Sequence, residues 1–392
     1  MKILYIAHCR CMYGANRALL ALLENMRRRP GTELLVMLPA EIDGDFAEVL
    51  DERGIRYFVG VFHRWSDTAG KRLRRVKGIY RCLCNVWEIR TIGRRLQREN
   101  VDLIHSNSGT IQIGAMLAER YGVPHIWHVR ELMEEHYHVE NIYPRGVSRR
   151  LLQNSFAVIA ISSAVANKIT KKYPNVPIRI VGDGVEWKEE AEKNGNRDET
   201  LQAQFGNEKG IRFVCVGVLS EGKGQKDILK ACALLHGAGT EEYRVHFIGA
   251  EGEAGCEKEL LTYAEENGLR DNVRFWGYRE DISALLPFMD VGITASHMEA
   301  FGLATAEYML AGLPVLGSDS GATPELLEEG KSGFLFPYGD PEGLAQRMKY
   351  CIEHRDIVAD MGSYARDSAR KRFSVEKNAD TVYEIYREAL KA

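Results

Sequence analysis

Ser296-His297-Met298-Glu299-Ala300-Phe301-Gly302-Leu303-Ala304-Thr305-Ala306-Glu307, carried on by Ala311-Gly312-Leu313-Pro314-Val315, is the stretch that sets the fold of this 392-residue chain. It follows an apolar run, Asp290 to Thr294, and opens a helix that Gly312 and Pro314 stop before a further strand. Strand, glycine turn, helix, strand is the repeating unit of a parallel sheet covered by helices. Gly302 lets backbone N–H groups approach an anion closely, and the helix N-terminus adds a positive dipole. The segment therefore reads as a phosphate site without a Walker motif. Glu299 lies in the turn, and Glu307 about two turns into the helix, leaning back toward its start. At about 1.5 Å rise per residue the two bracket roughly 9–10 Å. That span suits a diphosphate with a sugar hydroxyl at one end and a ribose at the other. Taken alone, a surface carboxylate and a helix-face charge fit as well.

The same rhythm runs outward in both directions. Short Val/Ile/Leu-rich runs predict strands at 2–8, 33–38, 56–61, 102–105, 124–129, 157–161 and 178–181, then at 211–217, 243–248, 273–276, 290–294 and 314–317. Helices are expected at 15–28, 109–121, 163–172, 224–236, 254–267, 301–311 and 340–353. Two α/β units of Rossmann type follow, facing an interdomain cleft in which a ligand would sit. The boundary is placed at Val181-Gly182-Asp183-Gly184, giving domains over 1–182 and 183–372. A helix over 373–392 is expected to pack back toward the first domain. The polar stretch Glu186 to Gly210 begins the second domain.

Val214-Cys215-Val216-Gly217-Val218-Leu219-Ser220-Glu221-Gly222-Lys223-Gly224-Gln225 is again strand, glycine loop and helix. Lys223 between two glycines is a flexible ammonium beside exposed backbone, suited to neutralising a pyrophosphate leaving group. It also has the ordinary reading of a solvated turn lysine. In the first half, Tyr13-Gly14-Ala15-Asn16 opens a helix after the first strand. His105 and the run His128-Val129-Arg130-Glu131 stand at strand ends, where functional residues of open α/β sheets collect. His136 and His138 read as surface residues.

The composition, 45% hydrophobic and 27% charged, is that of a globular chain and excludes disorder and low complexity. No run approaches 18 apolar residues, and the N-terminus reads as a strand rather than a signal peptide, so a cytoplasmic protein is expected. Eight cysteines without a C-x-x-C read as reduced thiols; the pairs Cys9/Cys11 and Cys82/Cys84 are weak metal signals. The net charge of −3 hides an asymmetry: 28 Lys and Arg against 17 Asp and Glu up to Gly182, the reverse beyond. Much of the basic excess lies in Lys71 to Arg98, interleaved with Leu73, Val76, Tyr80, Leu83, Trp87 and Leu96. This is an amphipathic basic helix with candidate breaks at Gly78 or Gly93. It fits a surface helix packed on its own domain or one drawn to anionic lipid. A pI near 6.4 and the lack of a binding motif argue against nucleic acid.

Gly217, Lys223-Gly224, Phe275-x-Gly277, Glu299-x-Phe301-Gly302 with Glu307, and Gly312-x-Pro314-Val315 occur in an order and spacing that resemble the retaining glycosyltransferases of family four, which have the GT-B fold. The likeness extends to Gly333-Phe334-Leu335 and Asp340-Pro341. It implies that Glu299 binds the donor sugar's hydroxyls and Glu307 the ribose. Lys223 and the amides of Phe301, Gly302 and Leu303 would bind the diphosphate, and the nucleobase would lie against Gly277-Tyr278-Arg279. Gly14 would belong to the loop that touches donor and acceptor, and His128 would face the transferred sugar. Val218 departs from the pattern: the family commonly has Arg there. Arg279 or an arginine of the first domain would then supply that charge, or the donor binds more weakly.

The expected reaction is sugar transfer from a nucleotide-sugar, UDP favoured over GDP, to a saccharide or lipid-linked hydroxyl acceptor. No cofactor or metal is expected, since no D-x-D pair stands at a strand end of the second domain. No carboxylate nucleophile is apparent, so attack from the leaving-group face is the expected route to retention. The alternatives are a silent sugar-nucleotide-binding subunit, a phosphorylase or epimerase on the same scaffold, and an enzyme with a soluble small acceptor. Peripheral attachment to the inner face of an anionic membrane is expected through Lys71 to Arg98.

Overall fold

The structure, a computed structural model, describes residues 1–40, 44–68, 74–132, 139–187, 199–205 and 208–392. Lys71, Arg72 and Leu73 of the basic run, His136, His138 and much of the polar stretch after Glu186 lie outside the described residues. The chain forms two units. One comprises Met1–Gly184 with Val375–Ala392, and the other Val185–Ser374.

In the first unit, β1 (Lys2–Ile6), β2 (Glu33–Pro39), β3 (Tyr57–Gly60), β5 (Leu103–Ser106), β6 (His125–Val129), β8 (Ala157–Ala160) and β9 (Ile178–Ile180) form one sheet in the order β3-β2-β1-β5-β6-β8-β9. All pairs are parallel. Alternation divides the core into two layers. Ile3, Tyr5 and Ala7 pack with the helices Gly14–Arg27 and Val375–Ala389, while Leu4 and Ile6 face Ile89, Ile92 and Leu96 of the helix Arg74–Glu99 and Leu117 of Ile113–Tyr121. A short antiparallel pair, β4 (Ser66–Thr68) with β7 (Val139–Asn141), was not anticipated.

In the second unit, β10 (Ile211–Val216), β11 (Tyr243–Ile248), β12 (Val273–Phe275), β13 (Val291–Thr294), β14 (Val315–Ser318) and β15 (Gly333–Phe336) form a parallel sheet ordered β12-β11-β10-β13-β14-β15. Each of the twelve expected strands is present within two residues of its predicted bounds. β15 was missed as a strand, because it is only four residues long between the turn at Gly330 and the loop at Pro337. The family-like pair Asp340-Pro341 is a helix start: the Asp340 side chain accepts a hydrogen bond from Gly343 N at 2.9 Å, and Pro341 occupies the first helical position.

The helix Arg74–Glu99 corrects the expected break. It runs unbroken for 26 residues. Its glycines are points of close approach instead. A Cβ on Gly78 would lie 2.2 Å from the Ile142 carbonyl oxygen, and one on Gly93 2.0 Å from the Tyr121 ring. The core stripe is Asn85, Ile89, Ile92 and Leu96. Val76, Ile79, Tyr80, Leu83, Val86 and Trp87 form a second stripe that faces solvent, Trp87 at 76% exposure.

Candidate active site

β10 and β13 are neighbours in the second sheet, and the chain leaves them toward opposite edges. Ligands of open α/β sheets bind at such a reversal, beyond the carboxyl ends of the strands. The loops after these two strands carry Lys223 and Glu299. They are tied together at the backbone, His297 N donating to Gly222 O at 2.8 Å. Gly224 sits so close to Ala295 that a Cβ would lie 2.2 Å from its carbonyl oxygen. Lys223 Nζ stands 2.7 Å from Glu299 Oε1, and the same oxygen accepts from Ser296 Oγ at 2.6 Å. Ser296 was not singled out in the sequence; its place three residues before Glu299, in one turn, is the signal that could have found it.

Gly302 takes φ +97 at the N-cap of the helix Leu303–Ala311, a backbone state that favours glycine. The first N–H groups of that helix thus open at the sheet edge beside Glu299, with Phe301 buried beneath. Glu307 lies on the same helix, half-buried. The helix is pinned by Tyr308, whose buried hydroxyl accepts from Val216 N, the last residue of β10, at 2.5 Å. Gly217 follows at φ +154, with the Lys223 side chain alongside. Beyond β12, Tyr278 is 69% exposed, and the Arg279 guanidinium makes a two-bond fork with Asp281 at 2.8 and 2.6 Å. Val218 is half-exposed and brings no charge to the loop. Among the described residues no three His, Cys, Asp or Glu side chains are grouped to hold a metal ion.

The first sheet reverses at β1 and β5. Gly14 begins the helix after β1, and Tyr13 before it is exposed. Asn107, just after β5, donates from Nδ2 to Ala15 O at 2.9 Å, tying this turn to the next strand end. His128 is fully buried near the end of β6. Burial, the Arg130 guanidinium and the adjacent His105 hold its pKa well below the usual histidine value. Its ring meets that of His105 edge-on at 5.3 Å between centroids. His105 Nδ1 in turn lies 2.7 Å from the Tyr386 hydroxyl on the helix Val375–Ala389.

Residues 14–188 match the family Glycosyltransferase Family 4, and residues 196–368 match Glycosyl transferases group 1. The chain belongs to the family 4 glycosyltransferases of group 1. N-acetyl-alpha-D-glucosaminyl L-malate synthase of Bacillus anthracis is 26% identical to this glycosyltransferase over 301 residues, 75% of this chain and 77% of that protein. D-inositol 3-phosphate glycosyltransferase of Corynebacterium jeikeium is 28% identical over 307 residues, 73% and 72% of the two. The crystal structure of Anabaena Alr3699/HepE in complex with UDP has the same GT-B fold, with a TM-score of 0.80 at 24% identity over 99% of this chain and 100% of that one. The enzyme is thus a glycosyltransferase built from two Rossmann-like domains. No helix among the described residues is long and apolar enough to cross a membrane.

Proposed function

We propose that this glycosyltransferase moves a sugar from a UDP-sugar, with retention and without a metal ion, to a hydroxyl of a lipid-linked saccharide at the inner face of an anionic membrane. Such a reaction belongs to the assembly of a surface polysaccharide or glycolipid. The observation that carries the acceptor side is the outward stripe Val76, Ile79, Tyr80, Leu83, Val86 and Trp87 on the helix Arg74–Glu99. Six large apolar side chains on one exposed face are more than scattered surface hydrophobics. Arg90 and Arg94, on the same helix, are also exposed. Apolar side chains with flanking arginines suit an interfacial helix, and each basic residue near an anionic surface contributes about 1 kcal/mol.

The UDP bound by the Anabaena structure supports the choice of donor. Lys223, paired with Glu299 at 2.7 Å, exchanges that carboxylate for the diphosphate, aided by the N–H groups that open at Gly302. Glu299 then meets the sugar hydroxyls, Glu307 the ribose and His128 the transferred sugar. The bond from the anomeric carbon to the phosphate oxygen breaks as the bond to the acceptor oxygen forms on the same face. The acceptor's proton passes to the departing phosphate.

A second reading, a small soluble acceptor, draws on the L-malate and inositol 3-phosphate in the relatives' names. Co-sedimentation with vesicles separates the two. Binding to phosphatidylglycerol vesicles, weakened by high salt and lost in Leu83→Ser/Trp87→Ser, is expected. Equal binding to neutral vesicles, or none to either, would favour the soluble acceptor. Hydrolysis of UDP-sugar by the wild type, lost in Lys223→Ala, distinguishes an enzyme from a silent binding subunit.

A further inference from the structure

His128 and Arg130 are two residues apart at the end of β6 and so project to the same side of the sheet. Arg130 is almost fully buried and uses all three of its nitrogens. Nε donates to Asn107 Oδ1 at 2.8 Å, Nη1 to Asp183 Oδ1, and Nη2 lies 3.3 Å from His128 Nδ1. Asn107 presents its oxygen to Arg130 because its nitrogen is committed to Ala15 O. Asp183, also buried, balances the guanidinium charge.

A guanidinium has only donors. The ring nitrogen it meets must therefore carry a lone pair. In a neutral imidazole that leaves the proton on the other nitrogen. His128 Nε2 is fully buried and has no hydrogen-bond partner among the described residues. Asp183 Oδ1 is 3.9 Å away, beyond hydrogen-bond range. An unsatisfied buried N–H costs free energy unless something arrives to accept from it. A sugar hydroxyl has the acceptor it lacks.

We infer that Arg130 is a positioning residue, held by Asp183 and Asn107, which fixes His128 as the neutral Nε2–H tautomer so that this N–H is offered to an oxygen of the transferred sugar. This rests on the sugar-facing role of His128 given above. The groups that face the ring are Arg130, Asp183 and His105. The first two offset each other, and His105 is itself kept neutral by burial. The ring therefore remains a neutral donor instead of an imidazolium.

The test is the nitrogen spectrum of the full chain labelled with 15N-histidine, with His128 assigned through His128→Gln. In the wild type at pH 7.5, His128 should show only the Nε2–H pattern. An Nδ1–H pattern there overturns the inference without any variant. Arg130→Met/Asp183→Asn removes the donor while keeping the site neutral. It should populate the Nδ1–H form and lower kcat at least tenfold, with the donor KM within about twofold. Arg130→Lys, which still offers only donors, should keep the wild-type tautomer. If the double variant retains pure Nε2–H, Arg130 does not set the tautomer. If the tautomer shifts while transfer continues at the wild-type rate, the positioning stands, and the role of His128 in facing the sugar fails instead.

Discussion

Lys223 and Glu299 hold each other at 2.7 Å, with Glu299 mostly shielded and Lys223 partly exposed. In the proposed reaction the donor's diphosphate competes with that carboxylate for the ammonium. On the proposed roles, replacing Glu299 with Ala removes a sugar contact but also removes the lysine's ion pair with that carboxylate. Glu299→Ala should therefore lower turnover while leaving UDP affinity equal or higher. Glu307→Ala should weaken UDP by roughly 1.5–3 kcal/mol, the usual worth of a charged hydrogen bond. Calorimetric titration with UDP and initial rates read both. Glu307→Ala binding UDP as the wild type does would sink the ribose assignment, and Glu299→Ala at full turnover would sink the sugar assignment. Lys223→Ala should nearly abolish transfer, while EDTA should not; activity lost to EDTA and restored by magnesium would overturn metal independence. Glu299 and Lys223 could be singled out in the chain because each sits in a glycine turn between a strand and a helix, and Glu307 because it lies on the helix that follows such a turn. Ser296 could not be assigned, since a serine in a turn has many uses until its hydroxyl is seen 2.6 Å from Glu299.

The helix Arg74–Glu99 shows how one element can carry two faces with different purposes. Its inward stripe and its glycines fit the first unit closely: Gly93 lies against Tyr121 and Gly78 against Ile142. Among the described residues, no side chain of its outward stripe belongs to that core. Gly93→Ala would place a methyl 2.0 Å from the Tyr121 ring, and overpacking of this kind costs about 1–3 kcal/mol. Trp87→Ser, at a site 76% exposed, should stay within about 0.5 kcal/mol. Urea unfolding of the two variants checks this contrast. Equal destabilisation would mean that Trp87 is part of the fold and not a surface anchor. The amphipathic pattern was legible in the spacing. The glycines were misread as breaks, because helix propensity is local while the residues they touch lie 28 and 64 positions away.

At the level of the whole molecule, buried histidines make stability depend on pH. His8 is pushed down to about 4 and His125 to about 3, chiefly by burial, and His105 and His128 are also lowered. All four lie in the first unit. The unfolded chain protonates its histidines near pH 6.5, before the folded chain does. Stability is therefore present above that pH and lost as pH falls toward the folded values. For His125 the loss by pH 5 is about 2 kcal/mol. Glu131, raised by burial, works in the opposite sense only near and below its own raised value. The melting temperature of the full chain should fall by several degrees between pH 7.5 and pH 5, and His125→Asn should flatten the slope. A melting temperature constant over that range would mean that these rings are not held neutral.

Twelve strand positions, the two Rossmann-like units and the glycine turns that carry Lys223 and Glu299 were readable along the chain. Each depends on neighbours within one strand or helix, and apolar periodicity reports those directly. The arrangement around His128 was not readable in this way. Arg130 meets Asp183 across 53 residues, and Tyr386 meets His105 across 281. Such partners become neighbours only when strand order and the return of the last helix bring them to one sheet. The free energy of those contacts lies in burial and pairing that no local spacing encodes.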